Sequence, residues 1–190
     1  MNRIVIITGS PGVGKSTLIK SLTENGRYKI LNVGDVMLDL AIKEGTVKGR
    51  DELRFLKDDE IRRLQDKTFI DIAHMEGNII LDTHASVESN GRFVPGVPLE
   101  TMRIIRRNVR AMIYIDALTT EIIERATGDK HRLRNTDRAF IDAQRRINLS
   151  ILSMYSAYLN IPLYIIFNRQ DALAESIKSL KEHLEQIFSE

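Results

Sequence analysis

A glycine-rich segment near the start of the chain has the composition of a phosphate-binding loop. Residues 9–16 read Gly-Ser-Pro-Gly-Val-Gly-Lys-Ser and match the pattern G-x-x-x-x-G-K-[ST] in full, between an apolar run and a helical pattern. The glycines let consecutive backbone N–H groups point at phosphate oxygens, and the helix adds its positive N-terminal end. In such loops the lysine, here Lys15, reaches the β- and γ-phosphates, and the hydroxyl, here Ser16, ligates Mg²⁺. The segment therefore predicts a site for a nucleoside triphosphate.

A carboxylate for the metal is predicted at the end of another buried strand. The apolar run that begins at Asn78 ends in Asp82, and ligands of open α/β sheets gather at the carboxyl ends of the strands. Asp116 ends a further apolar run and is the alternative, with a turn or helix cap as its structural role. We favour Asp82, because Thr83 and His84 follow it and lead into a loop that contains Gly and Pro.

Arginines gather in a polar stretch that we expect to cover the phosphates. The charged segment Thr127–Asp137 carries Arg132 and Arg134, Arg138 follows it, and Arg125 lies about one turn upstream. Guanidinium groups stabilise the charge of a transferring phosphoryl group. Because the segment makes few apolar contacts, we expect a mobile lid that closes on a bound triphosphate. A solvated surface loop is the alternative interpretation.

A second polar cluster predicts a pocket for an acceptor. Asn32 to Val36 lie at the end of the second predicted strand, and Arg50 and Arg54 lie in the charged stretch after them, where an arginine would hold an acceptor phosphate. The chain has no obvious general base. This fits an acceptor that is already an anion, such as a nucleoside monophosphate, because transfer then needs mainly alignment and charge neutralisation. His84 would be a base for a hydroxyl acceptor, but we favour a role in lining the pocket, with a structural role as the alternative.

Five β-rich runs alternate with helical patterns, which predicts a three-layer α/β domain. Four runs are almost continuously apolar, as expected of parallel strands buried on both faces. The predicted strands are Arg3–Thr8, Tyr28–Val33, Asn78–Asp82, Ala111–Asp116 and Leu163–Phe167. The predicted helices are Lys15–Glu24, Val36–Glu44, Asp58–Met75, Leu99–Arg107, Thr120–Ala126 and Asp137–Leu159, and a last amphipathic stretch places Leu173, Ile177, Leu180, Leu184 and Ile187 on one buried face. The charged segment Gly45–Asp59 is predicted to be a loop.

The composition excludes several classes of protein. The 190 residues fit one domain, and 43% hydrophobic with 28% charged residues is typical of a globular chain. The absence of cysteine excludes disulfides, thiolate metal sites and cysteine catalysis. A net charge of +2 does not indicate a nucleic-acid binder, and no apolar run is long enough for a membrane span. We expect a cytoplasmic protein, because no secretory or lipidation signal is present.

The chain resembles the archaeal-type adenylate kinases over almost its whole length. The phosphate loop is shared by many enzymes, whereas Asp82-Thr83-His84 and the Asn168-Arg169 pair are more specific. The resemblance is carried by Val5–Gly9 with Pro11–Gly14, by Asn32–Met37, by Arg50–Leu56, by Asp82–His84 with Gly91–Pro98, by Arg125–Asp129 and by Phe167–Arg169. It implies a P-loop NTPase fold whose five-stranded parallel sheet has the order 2-3-1-4-5, with an AMP-binding excursion at about 35–60 and a lid at about 127–138. It also implies Mg²⁺-dependent conversion of ATP and AMP into two ADP, and a homo-oligomer, commonly a trimer.

The same resemblance implies a role for each matching residue. ATP would be bound by Gly9, Ser10, Pro11, Gly12, Val13, Gly14, Lys15, Ser16, Thr17, Asn168 and Arg169, and AMP by Asn32, Gly34, Asp35, Val36, Met37, Arg54, Thr83 and His84. The residues Lys15, Arg125, Arg132, Arg134 and Arg138 would act on the transferred group, and Ser16 and Asp82 would hold Mg²⁺. The family has Asn-Arg in the helix after the lid, where this chain has Asn148-Leu149. Either Arg145 or Arg146 is therefore a candidate for facing the phosphates.

Two other functions compete with this interpretation. One is a P-loop kinase that acts on UMP, CMP or a small hydroxyl compound. The other is a nucleotide-dependent switch or assembly ATPase that binds RNA or protein. The second is disfavoured, because the chain has no aromatic stacking platform and little net positive charge.

Overall fold

Five parallel strands form the central sheet of the computed structural model, which describes residues 2–23, 26–89, 91–128 and 135–189. The strands along the chain are β1 (Arg3–Gly9), β2 (Lys29–Asn32), β3 (Asn78–Asp82), β4 (Ser86–Ser89), β5 (Arg92–Pro95), β6 (Val109–Asp116) and β7 (Leu163–Phe167). The sheet has the order β2-β3-β1-β6-β7, with every neighbouring pair parallel. Counted among these five strands alone, the order is the predicted 2-3-1-4-5.

Helices cover both faces of the sheet and make the three layers. They are α1 (Lys15–Lys20), α2 (Val33–Lys43), α3 (Asp58–His74), α4 (Leu99–Ile104), α5 (Thr119–Gly128), α6 (Arg138–Leu159) and α7 (Leu173–Ser189), with a 3-10 helix at Arg50–Phe55. Alternate residues of β1 face opposite layers: Val5 and Ile7 lie in a core with α1, α5 and α7, while Ile4 and Ile6 lie in a core with α3, α4 and α6. This two-sided burial explains why β1 is a continuous apolar run.

The antiparallel hairpin of β4 and β5 was not predicted. Its strands are four residues each and pair Val87 with Val94, and both of these side chains are about half exposed. With so little buried surface, the hairpin lacks the strong apolar pattern that identifies the strands of the central sheet. It follows β3 directly and so borders the end of the sheet at which Asp82 lies.

Several predicted helix limits were wrong for local reasons. Helix α1 ends at Lys20 rather than Glu24, where the Ser21 hydroxyl donates to the carbonyl of Leu18 and competes with further helical bonds. Helix α2 begins at Val33 rather than Val36, because the Asn32 side chain accepts from the backbone N–H of Asp35 and caps the helix.

Two further predictions also need correction. The segment predicted as a loop at Gly45–Asp59 contains the 3-10 helix, whose residues are all at least partly exposed. In α7 the predicted buried face holds for Leu180, Leu184 and Ile187, but Leu173 at the start of the helix is exposed. No helix in the described part of the chain is long and apolar enough to cross a membrane.

Candidate functional site

The phosphate loop joins β1 to α1 and surrounds a cavity of about 640 Å³. Gly12 and Gly14 have φ angles of 91° and 85°, a conformation that residues with a Cβ rarely adopt. The cavity is lined by Gly9, Ser10, Pro11, Gly12, Gly14, Lys15, Ser16, Thr17, His84 and Arg125. The structure thus brings most of the predicted ATP-binding residues together around one space, and Arg125 lies with them.

The backbone of the loop is held by side chains from distant parts of the chain. The buried Asn168 donates from Nδ2 to the carbonyl of Val13 at 2.7 Å, and Arg125 donates to the same carbonyl at 3.2 Å. Arg125 also donates to the carbonyl of Asn168 at 2.9 Å. The Asn168 amide packs so closely on Gly14 that a Cβ at position 14 would overlap it. Asn168 and Arg125 therefore fix the curvature of the loop.

Lys15 and Asp82 are in direct contact at the edge of this cavity. The Lys15 ammonium pairs with Oδ1 of Asp82, and Oδ2 of Asp82 accepts from the Asn32 amide at 3.0 Å. The contact follows from the topology, since β1 and β3 are paired and both end here. Burial lowers the pKa of Lys15 to about 8, while the carboxylate beside it favours the charged ammonium. The loop lysine and the predicted metal carboxylate thus lie within reach of one ligand.

Asp116, the alternative metal carboxylate, is occupied by an arginine. Arg145 of α6 donates from Nε to Oδ1 of Asp116 at 2.8 Å and from Nη2 to Oδ2 at 2.7 Å. The same guanidinium donates to the Thr119 hydroxyl, which in turn donates to Asp142. Asp116 is thus bound by an arginine from outside the phosphate loop, whereas Asp82 contacts the loop lysine itself, so Asp82 is the better metal carboxylate of the two.

The arrangement can hold a divalent cation next to a triphosphate. The Ser16 hydroxyl and the Asp82 carboxylate are hard oxygen donors of the kind that Mg²⁺ prefers. No group of three or more His, Asp or Glu side chains suited to a metal is found in residues 2–23, 26–89, 91–128 and 135–189. This donor set fits an ion that takes most of its ligands from phosphates and water, and which this chain would hold through Ser16 and Asp82.

His84 lies between the phosphate cavity and a second cavity of about 390 Å³. The second cavity is bordered by the β4 strand, by α5 and by the start of α6, with Pro11 and His84 shared between the two spaces. Burial and the nearby Lys15 ammonium lower the pKa of His84, so its imidazole is neutral at pH 7. A neutral imidazole is chemically able to accept a proton, and it also suits a side chain that lines a pocket.

The predicted acceptor residues lie on a more exposed part of the molecule. Gly34, Asp35, Val36 and Met37 form the first turns of α2, and the Asp35 carboxylate pairs with the Arg50 guanidinium on the surface. Arg54 lies over the ring of Phe55 at 4.9 Å from its centroid, and that ring is 75% exposed. Thr83 is buried, and its N–H donates to the carbonyl of Ile7.

The arginines of the predicted lid are only partly placed. Arg132 and Arg134 lie outside the described residues. Arg138 is exposed at the start of α6, where Asp137 caps the helix by accepting from the N–H of Phe140. Of the two arginines later in α6, Arg145 is held by Asp116 and Arg146 is exposed. Arg169, next to Asn168, is also exposed.

Sequence reasoning missed the partners of three site residues. It assigned Asn168 to ATP binding, Arg125 to the transferred group and Arg145 as a candidate for the phosphates, but it did not predict their bonds to Val13 and Asp116. Asn168 is 155 residues from Val13 and Arg145 is 29 residues from Asp116, so no local pattern links them.

Comparison with known proteins adds a family and a fold. The profile of a family described as "AAA domain" matches residues 8–139. The adenylate kinase of Methanopyrus kandleri is 33% identical over 188 residues, which cover 96% of this chain and 97% of that protein. The adenylate kinase of Pyrococcus horikoshii is 35% identical over 193 residues, which cover 98% of this chain and 97% of that protein.

Solved structures of two shikimate kinases share the fold. The enzyme from Bacteroides thetaiotaomicron gives a TM-score of 0.59 at 16% identity, covering 96% of this chain and 98% of that one. The enzyme from Acinetobacter baumannii, solved in complex with shikimate, gives a TM-score of 0.57 at 13% identity, covering 98% and 95%. At these identities the likeness supports a common α/β P-loop fold.

Proposed function

The chain belongs to the adenylate kinase family of phosphotransferases, and we propose on this basis that it transfers the γ-phosphoryl group of ATP to AMP in a reversible, Mg²⁺-dependent reaction that yields two ADP. The observation that carries the proposal is the junction of Lys15, Asp82 and Asn32 at the edge of the 640 Å³ cavity. It joins the loop for the donor phosphates to the strand ends that border the predicted acceptor pocket.

The choice of a nucleotide acceptor over a small alcohol rests on the relatives. Similarity to the adenylate kinases extends over nearly the full chain at 33–35% identity, whereas the shikimate kinases are 13–16% identical and share the fold. Asn32 both caps α2 and donates to the Asp82 carboxylate, which supports an acceptor pocket between α2 and the loop after β3.

In the proposed reaction the chain supplies alignment and positive charge. An oxygen of the AMP phosphate attacks the γ-phosphorus of ATP in line, and the bond from that phosphorus to the β–γ bridging oxygen breaks, so that ADP leaves. Lys15 exchanges its contact with Asp82 for the β- and γ-phosphate oxygens and neutralises charge that shifts between them. The N–H groups of the loop hold the β-phosphate.

Asp82 and Ser16 would hold the Mg²⁺ that accompanies ATP. When bound, the ion neutralises phosphate charge and fixes the geometry of the triphosphate. Release of Lys15 from Asp82 frees a carboxylate oxygen for this purpose, and Asn32 keeps the other oxygen oriented. The pairing of Lys15 with Asp82 thus keeps two opposite charges available for phosphate and metal.

The remaining charge on the phosphates is assigned to arginines. Arg125 already borders the phosphate cavity, and we propose that Arg132, Arg134 and Arg138 join it when the segment of residues 127–138 covers bound ATP. Arg54 would bind the AMP phosphate from the acceptor side. We further propose a homo-oligomer, which sedimentation velocity at micromolar concentration tests directly.

A phosphotransfer panel tests the proposed function. Purified protein is given ATP and Mg²⁺ with AMP, CMP, UMP, GMP or shikimate in parallel, and ADP and phosphorylated products are separated by ion-exchange chromatography. We expect fast formation of ADP with AMP and much slower transfer to the other acceptors. Faster transfer to shikimate or to a pyrimidine nucleotide would overturn the choice of AMP.

Omission of the acceptor tests the alternative of an assembly ATPase. With ATP and Mg²⁺ alone, the family assignment predicts slow release of inorganic phosphate, and addition of AMP is expected to replace hydrolysis by transfer. Rapid hydrolysis that AMP does not divert would support the ATPase.

A further inference from the structure

A buried chain of hydrogen bonds connects the phosphate loop to the hairpin that follows the acceptor loop. In α6, Asn148 donates from Nδ2 to Oγ of Ser10 at 3.0 Å, and its Oδ1 accepts from the Ser86 hydroxyl at 2.5 Å. Ser10 also lies 3.2 Å from the hydroxyl of Tyr114. Asn148 thus joins a residue of the phosphate loop to the first residue of β4, which lies two positions after His84.

All four members of this chain are buried. Asn148 is 2% exposed, Ser10 3%, Ser86 5% and Tyr114 1%, and each has a partner. Burial raises the pKa of Tyr114, so its hydroxyl stays neutral at pH 7. Buried polar groups rigidify a structure when every member is satisfied, and they destabilise it when one partner is lost. The amide of Asn148 has one acceptor and one donor end and therefore suits a bridge between two hydroxyls.

The hairpin side of the bridge is also fixed through its backbone. The N–H of Gly96 donates to the carbonyl of Ala85 at 2.9 Å, and the Gln65 amide donates to the carbonyl of Gly96 at 3.3 Å. A Cβ at Gly96 would overlap the carbonyl of His84. The loop between Asp82 and β4 is thus fixed by its contacts with Gly96, and Asn148 connects this loop to the phosphate loop.

We propose that Asn148 is a positioning residue for phosphoryl transfer, which fixes the distance between the phosphate loop and the Thr83–His84 loop and so aligns donor with acceptor. This inference rests on the proposed function. Transfer between two bound nucleotides depends on their mutual placement, and a misplacement of about 1 Å can lower a rate by roughly 10²-fold. Asn148 touches neither nucleotide in this scheme and acts through Ser10 and Ser86.

The proposal predicts different effects on phosphoryl transfer, on substrate binding and on ATP hydrolysis. Each substrate keeps its own contacts when the bridge is cut, so KM for ATP and for AMP should change little while kcat falls. Transfer of the phosphoryl group to water needs no aligned AMP, so ATP hydrolysis without acceptor should fall less than transfer does. A role limited to folding would lower the melting temperature and leave this ratio of transfer to hydrolysis unchanged.

The test compares Asn148→Leu, Ser86→Ala and Ser86→Thr with the wild-type protein. Measured for each are kcat, both KM values, ATP hydrolysis without AMP, and the melting temperature. We expect kcat of Asn148→Leu to fall by about ten- to a hundred-fold with KM values within about threefold. Ser86→Ala should follow in the same direction, and Ser86→Thr, which keeps the hydroxyl, should restore most of kcat. If Asn148→Leu does not fold, the two Ser86 variants decide alone.

Ser156→Ala is the matched control. Ser156 is in the same helix, is partly buried and donates to the carbonyl of Ile161 at 2.5 Å, far along the helix from Asn148. Its loss should lower the melting temperature but leave the ratio of transfer to hydrolysis unchanged. The proposal is overturned if Asn148→Leu and Ser86→Ala keep this ratio, or if Ser156→Ala changes it equally. Failure of the proposed function is recognised separately, because the wild-type protein would then not transfer phosphate to AMP at all.

Discussion

The donor and acceptor sides of the site are built in different ways. Around the phosphate loop, buried or partly buried side chains from β6, α5, α6 and the residue after β7 bond to Ser10 and Val13. On the acceptor side, the 3-10 helix has no buried residue, and a small cluster of Ala41, Val47 and Leu64 is buried beside it.

This difference has a consequence for motion and for binding. A loop that is fixed by buried bonds is already shaped for phosphate and loses little conformational freedom when ATP binds. A segment with few buried contacts opens at low free energy and can close on a ligand. We therefore expect the excursion at about 35–60 to move more than the phosphate loop.

Loss of the charge in the donor loop should have the largest effect. Lys15→Met removes the ammonium that we propose faces the transferred phosphoryl group, and we expect kcat to fall by about 10³-fold, in the range seen when one preorganised donor is removed. The fold should persist, because the variant also leaves Asp82 in contact with Asn32. Turnover is measured with ATP and AMP, and folding by circular dichroism.

Lys20→Met is the control for this variant. Lys20 is the last residue of the same helix and is exposed. It should retain wild-type turnover. Near-native activity of Lys15→Met would show that the loop lysine does not act on the transferred group.

Loss of the Asn168 hydrogen bond to the phosphate loop should have the next largest effect. Asn168→Ala removes the amide that donates to Val13, and we expect a loss of about 1–3 kcal/mol in the free energy of unfolding. The loop then loses its fixed shape, so kcat/KM for ATP should fall about tenfold, which corresponds to ~1.4 kcal/mol. Urea unfolding and steady-state kinetics measure the two effects.

Gln170→Ala controls for the position of Asn168 in the chain. Its side chain is exposed, and the contact to Glu121 uses the backbone N–H, which the variant keeps. We expect wild-type stability and kinetics. If Asn168→Ala behaved in the same way, the phosphate loop would keep its shape without Asn168. The buried hydrogen bonds would then not explain a difference in rigidity between the donor and acceptor sides.

Deprotonation of Lys15 at high pH should lower kcat/KM for ATP, with a smaller effect near pH 8 than the two substitutions. Its pKa in the free protein is lowered to about 8 by burial, so the charged form declines as the pH rises through that value. Since kcat/KM reports the free enzyme, we expect kcat/KM for ATP to halve near pH 8 and to fall about tenfold per unit above it. The kcat should be less sensitive, because bound phosphates stabilise the ammonium.

Lys15→Arg provides the comparison, since guanidinium stays charged over this range. The variant is expected to be slower than the wild-type protein but to lose the decline above pH 8. The same decline in both proteins would assign the titration to another group.

The central sheet and the main residues of the donor side could be predicted from the sequence. The strands Asn78–Asp82 and Leu163–Phe167 were predicted at their observed limits, because a buried parallel strand is an uninterrupted apolar run. The loop glycines and Lys15 follow a fixed pattern, and Asp82 follows from its place at a strand end.

What could not be predicted depends on contacts between distant residues or on weak local patterns. Nothing near Arg145 indicates that it pairs with Asp116, and nothing near Asn168 indicates that it holds Val13. The β4–β5 hairpin is short and half exposed, so its alternation is weak. Asn32 was predicted only as part of the acceptor pocket, and its role as the N-cap of α2 was not predicted.

Loss of the surface ion pair between Asp35 and Arg50, on the acceptor side, should have the smallest effect on the free energy of unfolding. The two side chains are 63% and 58% exposed, so solvent screens their attraction. In a double-mutant cycle with Asp35→Asn and Arg50→Gln, we expect a coupling free energy of unfolding below about 1 kcal/mol, which weakens further in 1 M salt. KM for AMP should rise in Asp35→Asn while KM for ATP stays unchanged, because only the acceptor side is altered. The exposed pair Arg27 and Glu185, neither of which is a predicted site residue or lines the phosphate cavity, serves as the matched control for the cycle and should leave both KM values unchanged. A coupling well above 1 kcal/mol, or an equal rise of both KM values, would mean that the excursion is tied to the donor side as firmly as the phosphate loop is.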